Sequence, residues 1–249
     1  MTPIDWLINT GLGVALGVLG GLFGIGGGLI AIPVLGILYG FDQQLAQGTA
    51  LVMVVPNVLL GVYRYHQKNK FNLKTASLLG GFSFVLSWVG ALIAVGLEAQ
   101  VMRYFFVGFL LVLMLWNLTQ VIFVPRAEQP ARAWGWFAGL GGFAGFMGGL
   151  FGVGGAVVAT PILTLWFGLS QVVAQGLSLA LALPSTLVTL SAYAWHQQVH
   201  WPIGLSLCVG GLLGVSYGVK IAHQLPARLM KALFSGFLLL SAILLFYQT

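Results

Sequence analysis

Backbone amides, more than ionisable side chains, are the groups in this sequence best placed to do chemistry. Two glycine-rich segments, Gly20–Leu35 (GGLFGIGGGLIAIPVL) and Gly148–Leu163 (GGLFGVGGAVVATPIL), recur at an offset of 128 residues with 10 of 16 aligned positions identical. Glycine adopts the conformations needed to stop one helix and start another, and it lets a ligand approach the backbone closely. A helix beginning at such a break points unpaired N–H groups and a positive dipole end into it. That is a ready anion site. The expected donors are Gly26, Gly27 and Gly28 in the first copy and Gly154, Gly155 and Ala156 in the second. A Gly/Pro-interrupted apolar segment used once in each half, here with Pro33 and Pro161, is the sequence pattern of a transporter substrate site. Single glycine pairs elsewhere, Gly80-Gly81 and Gly210-Gly211, read as close helix packing.

Side chains downstream of each break could complete such a site. Gln47 and Thr49 correspond to Gln175 and, one position further on, Ser178; Asn57 after Pro56 corresponds to Ser185 after Pro184. These groups would orient the remaining oxygens of a bound anion, or else serve as interhelical hydrogen-bond partners. Arg64 reads as an anion-gathering or topology-setting cation. His66 and His196, among Tyr63, Tyr65, Tyr193 and Trp195, read as members of an interfacial aromatic belt.

What is missing narrows the chemistry. The only acids are Asp5, Asp42, Glu98 and Glu128, all at expected span ends or loops. A proton- or cation-coupled carrier usually keeps an ionisable residue within the membrane. No GxxxxGK[ST] loop is present, and Leu29 stands where GxGxxG would need its last glycine. The single Cys208 excludes an intrachain disulfide or a cysteine-rich metal cluster. No catalytic residue, metal or cofactor is expected, since an enzyme would need a cluster suited to acid–base or metal chemistry.

The elements that must position these groups are membrane spans. With 59% hydrophobic and 6% charged residues and a mean hydropathy of +1.00, the chain cannot build a soluble surface. Stretches of bilayer-crossing length cover Gln44–Tyr63, Thr75–Gly96, Val101–Val124, Val172–Trp195, Ile203–Ala222 and Lys231–Tyr247. The Gly-broken units Trp6–Tyr39 and Trp134–Phe167 are each too short for two perpendicular spans and too long for one. Each is expected to dip in and return. The start Met1–Asp5 lacks the basic residues of a cleaved signal peptide.

The expected fold is therefore all-α and polytopic: two inverted repeats, each a re-entrant helical hairpin plus three transmembrane helices. Residues 1–124 form the first repeat, 125–133 a polar linker and 134–249 the second. Matching Tyr63–Gln67 to Tyr193–Gln197 and Gly80-Gly81 to Gly210-Gly211 calls for a two-residue insertion in the second half. Inversion also satisfies the positive-inside rule. It puts nine of the ten basic residues on one side, with Arg103 alone on the other; a parallel arrangement splits them six to four. The net charge of +6 is then largely topology signal, with no nucleic-acid partner implied.

The two GLFG[IV]GG…P segments, each followed by an Ala-Gln-Gly element (Ala46–Gly48, Ala174–Gly176) and a proline in mid-span, resemble the TauE/SafE family of sulfite exporters. The resemblance runs through both halves. It implies a multi-pass protein of the bacterial inner membrane that moves sulfite, a sulfonate such as sulfoacetate, or a related sulfur anion. The departure from a Gly-Thr-Ser-type element, Gly48-Thr49-Ala50 in one half and Gly176-Leu177-Ser178 in the other, places the hydroxyls unsymmetrically. Potential-driven export fits an anion, because the inside-negative potential contributes about 2.3 kcal/mol per charge per 100 mV. The implied partners are a small anionic substrate and the lipid bilayer, with a homodimer left open. An anion channel, or a carrier of a small carboxylate, is the alternative.

Overall fold

The computed structural model describes residues 3–122 and 134–246, and α-helices account for most of them. The first half comprises α1 (Pro3–Phe23), α2 (Gly28–Tyr39), α3 (Gln43–Lys68), α4 (Leu73–Gly96) and α5 (Ala99–Ile122). The second comprises α6 (Trp134–Phe151), α7 (Ala156–Leu165), α8 (Gln171–Trp195), α9 (Trp201–Ala222) and α10 (Ala227–Phe246). The linker expected at 125–133 lies outside the described residues.

Seven helices, α1, α3, α4, α5, α8, α9 and α10, are long and apolar enough to cross a membrane. Six are the expected spans; the seventh, α1, is the first leg of a broken unit. The chain is an all-helical, polytopic membrane protein. Its large apolar side chains face outwards, among them Phe84 and Trp88 on α4, Phe105 and Val112 on α5 and Leu213 and Tyr217 on α9. Within, glycines and buried polar side chains sit at helix contacts beside a large apolar core that includes Leu29, Met53 and Phe106. Capping starts the spans in turn: Asp42 accepts the Leu45 amide (2.8 Å) ahead of α3, and Asn72 the Lys74 amide (2.9 Å) ahead of α4.

The halves are interlocked. α1 runs parallel to α9, with Gly13, Gly17 and Gly21 against Leu207, Gly211 and Val215. α6 runs parallel to α4 in the same way, with Gly141, Gly145 and Gly149 against Leu79, Ser83 and Ser87. A Cβ on Gly145 would lie 2.5 Å from the Ser83 carbonyl oxygen, so these backbones are in contact. At the centre α3 and α8 lie antiparallel: Gln47 meets Tyr193, Gly61 meets Leu179, and Tyr65 meets Gln175.

These pairs correct the expected alignment. An offset of 128 holds throughout, from Gly13/Gly141 through Tyr65/Tyr193 to Leu79/Leu207, with no insertion. The equivalent of Tyr193 is Tyr65 rather than Tyr63, and that of Gly80 is Cys208. His66 and His196 are consequently not related by the repeat. The misleading strings partly mark outward faces, since Tyr63 is 57% and Trp195 86% exposed. Tyr65 and Tyr193 are fully buried, so interior hydrogen bonding, rather than an interfacial belt, dictates their type.

Candidate functional site

Both breaks form by the same local geometry. The Gly20 carbonyl accepts the amides of Ile25 (3.0 Å) and Gly26 (3.3 Å); Gly148 accepts those of Val153 (3.2 Å) and Gly154 (3.4 Å). The chain then restarts through Gly27 (φ 93°) and Gly155 (φ 74°), the left-handed N-caps of α2 and α7. That conformation strains any residue with a Cβ. The Gly27 carbonyl takes the Ile30 and Ala31 amides, as Gly155 takes those of Val158 and Ala159. The amides of Gly28 and Leu29, and of Ala156 and Val157, are therefore the ones helix geometry leaves without an intrahelical acceptor.

Each broken unit is a hairpin with unequal legs, 21 and 12 residues in the first and 18 and 10 in the second. α2 doubles back along α1, and the Tyr39 hydroxyl donates to Asn9 Oδ1. The two tips overlap at the centre of the bundle. Gly24 packs on the Gln175 side chain and Gly152 on that of Gln47. A Cβ on Gly28 would lie 3.6 Å from the Gly152 carbonyl oxygen. The N-terminus of α2 thus abuts the opposite break.

Of the side chains singled out downstream, Gln47, Gln175 and Asn57 touch these tips. Tyr193 donates to Gln47 Oε1 (2.7 Å), and Tyr65 donates to Gln175 Oε1 (3.0 Å). Gln175 Nε2 donates in turn to the Leu22 carbonyl at 3.2 Å. Gln47 Nε2 has no partner. Asn57 Nδ2 braces the first break by donating to the Gly26 carbonyl at 3.2 Å, while its Oδ1 is unpartnered. The hydroxyls of Ser178 and Ser185 are also buried without partners. Thr49 departs from the group: its hydroxyl accepts the His200 amide at 2.9 Å, tying α3 to the start of α9. A buried polar atom left unpaired costs about 1–3 kcal/mol, so these four side chains, spread along the α3–α8 crossing from Gln47 opposite Tyr193 to Ser178 near Gln175, call for ligands or water.

One end of the bundle is basic. Asn69 Nδ2 and His223 Nε2 lie 2.8 Å apart, bringing the ends of α3 and α9 together with Arg64, Lys68, Lys70, Lys74, Lys220 and Arg228. Arg126 and Arg132 lie outside the described residues. Arg64 is exposed, with its guanidinium 5.9 Å from the Tyr63 ring centre, a surface position. His66 packs edge-on to Phe71 at 4.6 Å. His196 turns back on its own helix, with Nδ1 2.8 Å from the Ala192 carbonyl.

The sequence reading missed a polar cavity inside this end. It lies between the first hairpin tip (Phe23, Ile25), α7, and the basic-end portions of α5, α8 and α10. Its polar lining comes from Asn117, Gln120, Thr160, Gln171, Gln175 and Lys231. It leaves about 10 Å³ for the centres of water molecules, room for about one. Of these polar residues, Gln175 is the one the repeat pattern points to. The hint available was the polar spacing of Asn117 and Gln120 near the end of an otherwise apolar span. Among the described residues, no group of three or more His, Cys, Asp or Glu side chains is placed to hold a metal ion.

Comparison with known proteins agrees with this architecture. The family model described as sulfite exporter TauE/SafE matches residues 10–245. A probable membrane transporter protein of Xylella fastidiosa is 26% identical, with 100% of this chain and 98% of that protein covered. Probable membrane transporter proteins of Methanocaldococcus jannaschii (24% identical; 91% of this chain, 90% of that one) and Bacillus subtilis (25%; 87% and 90%) are similar over comparable lengths. No solved structure matches. With the family pattern spanning both halves and the breaks folded as described, the chain belongs to the sulfite exporter TauE/SafE family.

Proposed function

We propose that this membrane transporter exports a small sulfur-containing anion, sulfite or a sulfonate such as sulfoacetate, across the bacterial inner membrane, driven by the membrane potential. The two halves act as inverted repeats, a reading supported by the antiparallel crossing of the equivalent helices α3 and α8. The basic end faces the cytoplasm. The observation that carries the reading is the meeting of the two breaks, Gly28 against Gly152, with the unpartnered buried atoms of Gln47, Asn57, Ser178 and Ser185 distributed along the neighbouring α3–α8 crossing. Of the expected donors, the amides of Gly27, Gly28, Gly155 and Ala156 hold the anionic group, since those of Gly26 and Gly154 already donate to the Gly20 and Gly148 carbonyls; the side-chain amides and hydroxyls nearby orient its other oxygens. Thr49 serves α9 rather than the anion. The words sulfite and sulfonate come from the family; the geometry supports a small anion.

The test is flux into proteoliposomes of sulfite, sulfoacetate, sulfate and acetate under an imposed potential. Saturable, potential-sensitive flux of a sulfur anion with counterflow is expected. It should fall at least tenfold in a Gln47→Leu, Ser178→Ala double variant that keeps the wild-type melting temperature. Flux that does not saturate would establish a channel, and a preference for acetate would establish a carboxylate carrier.

A further inference from the structure

We infer that the cavity at the basic end is a separate anion-capture site, in which the Lys231 ammonium takes a small oxyanion or sulfonate from the cytoplasm before it reaches the hairpin tips. The inference rests on the export reading but places a new residue and a new step on the route.

Lys231 lies five residues into α10, where a lysine ordinarily snorkels towards the interface. This one does not: it is only 8% exposed and lines the cavity beneath Phe23 and Phe234. Those two rings pack at a tilt with centroids 5.2 Å apart, so the tip of the first hairpin covers the lysine from above. Among the described residues, no acidic side chain lines the cavity. A buried ammonium without a carboxylate is expensive unless something else compensates its charge. A visiting anion would.

The other lining groups suit that guest. Lys231 offers three N–H donors. Gln171 brings an amide whose buried Oε1 has no partner, and turning it over presents Nε2 to the cavity instead. Asn117 Nδ2 spends one hydrogen on the Leu113 carbonyl (3.1 Å), leaving the second free to donate. Gln175 forms the wall shared with the central site, through its bond to the Leu22 carbonyl at the first hairpin tip. The lining thus links the basic mouth to the glycine breaks. At about 10 Å³ the space is closed to a sulfur oxyanion. Loading therefore requires the Phe23 tip to draw away from α10.

The experiment measures sulfite and sulfoacetate affinity of the purified full chain in detergent, together with its melting temperature without anion. Lys231→Gln should weaken binding at least tenfold. Lys231→Arg should stay within threefold of wild type. Lys220→Gln, which removes an exposed charge at the same end, should change affinity less than twofold. Gln171→Leu should weaken binding severalfold, and it keeps the test open should Lys231→Gln fail to fold. Wild-type affinity in both Lys231→Gln and Gln171→Leu would overturn the capture site while leaving the export reading intact. Absence of binding by the wild type, together with absence of flux, would overturn both.

Discussion

The two ends of the bundle carry the same parts in different states. At one end Gln175, Gln171, Phe23 and Lys231 line a cavity, with Tyr65 bonded to Gln175; at the other, 128 residues away in each case, stand Gln47, Gln43, Phe151 and Arg103, with Tyr193 bonded to Gln47. The aromatic lids match: Phe23 stacks on Phe237 and packs at a tilt on Phe234, as Phe151 stacks on Phe109 and packs at a tilt on Phe106. The hydrogen bonding does not. Gln175 is satisfied at both ends of its amide, whereas Gln47 and Gln43 each leave a buried Nε2 without a partner. Turning the Gln47 amide over would only move the deficit to its oxygen. A carrier that opens to one side at a time needs two such related but unequal ends, because rocking one repeat against the other exchanges their states. The inequality lies in side chains laid over breaks of the same local geometry.

The largest effect should come from the shared backbone. Gly27→Ala and Gly155→Ala place a Cβ at φ 93° and 74°, and each new Cβ meets a carbonyl, Leu16 at 2.7 Å in the first case and Ala144 in the second. Backbone strain alone costs about 1–3 kcal/mol, and the collision adds to it. Both variants should lose most of their monodisperse yield and melt well below wild type in detergent. If one tolerates alanine and the other does not, the two breaks are not equivalent and the common geometry is the wrong basis for comparison.

That shared backbone was readable from the chain because glycine and proline report conformation directly. The breaks at Gly24–Gly28 and Gly152–Gly155, the six full spans and the grouping of basic loops all follow from residue type and spacing. The ends were not readable. A lysine near a helix start normally marks topology, and only the packing of Phe23 from a distant hairpin encloses Lys231. Tyrosines near span ends normally mark an interface, and only the antiparallel crossing of α3 and α8 turns Tyr65 and Tyr193 inwards onto glutamines. The register slip had the same origin. Tyr63 and Trp195 resemble their neighbours in the string but lie on outward faces, where nothing enforces the repeat.

The glutamines sharpen the comparison at a middle scale. Gln175→Leu removes the donor to Leu22 and one of the two acceptors facing the Tyr65 hydroxyl, the Gly21 carbonyl remaining at 2.9 Å, with each bond worth roughly 0.6 kcal/mol in a membrane interior. Gln47→Leu removes the acceptor of Tyr193 but also an amide nitrogen that has no partner. The second substitution should therefore be less destabilising by about 1 kcal/mol, read as a smaller drop in melting temperature. Both should impair transport. Equal destabilisation would mean that the Gln47 nitrogen is already satisfied, by water or lipid, and that the ends differ less than their hydrogen bonds imply.

The smallest effect concerns the two residues that follow the mid-span prolines. Asn57 and Ser185 hold equivalent positions on α3 and α8, and both carry a buried oxygen without a partner. Only Asn57 also holds a carbonyl, that of Gly26. Asn57→Ala should cost about 1 kcal/mol through that unpaired carbonyl. Ser185→Ala removes an unsatisfied hydroxyl and should leave stability within about 0.5 kcal/mol of wild type. Transport separates what stability does not. If Ser185 faces the anion, its alanine variant should raise the half-saturating concentration severalfold at an unchanged melting temperature. If it is mere filling, neither quantity should move, and the polar groups of the site would then lie mainly on the Gln47 side of the crossing.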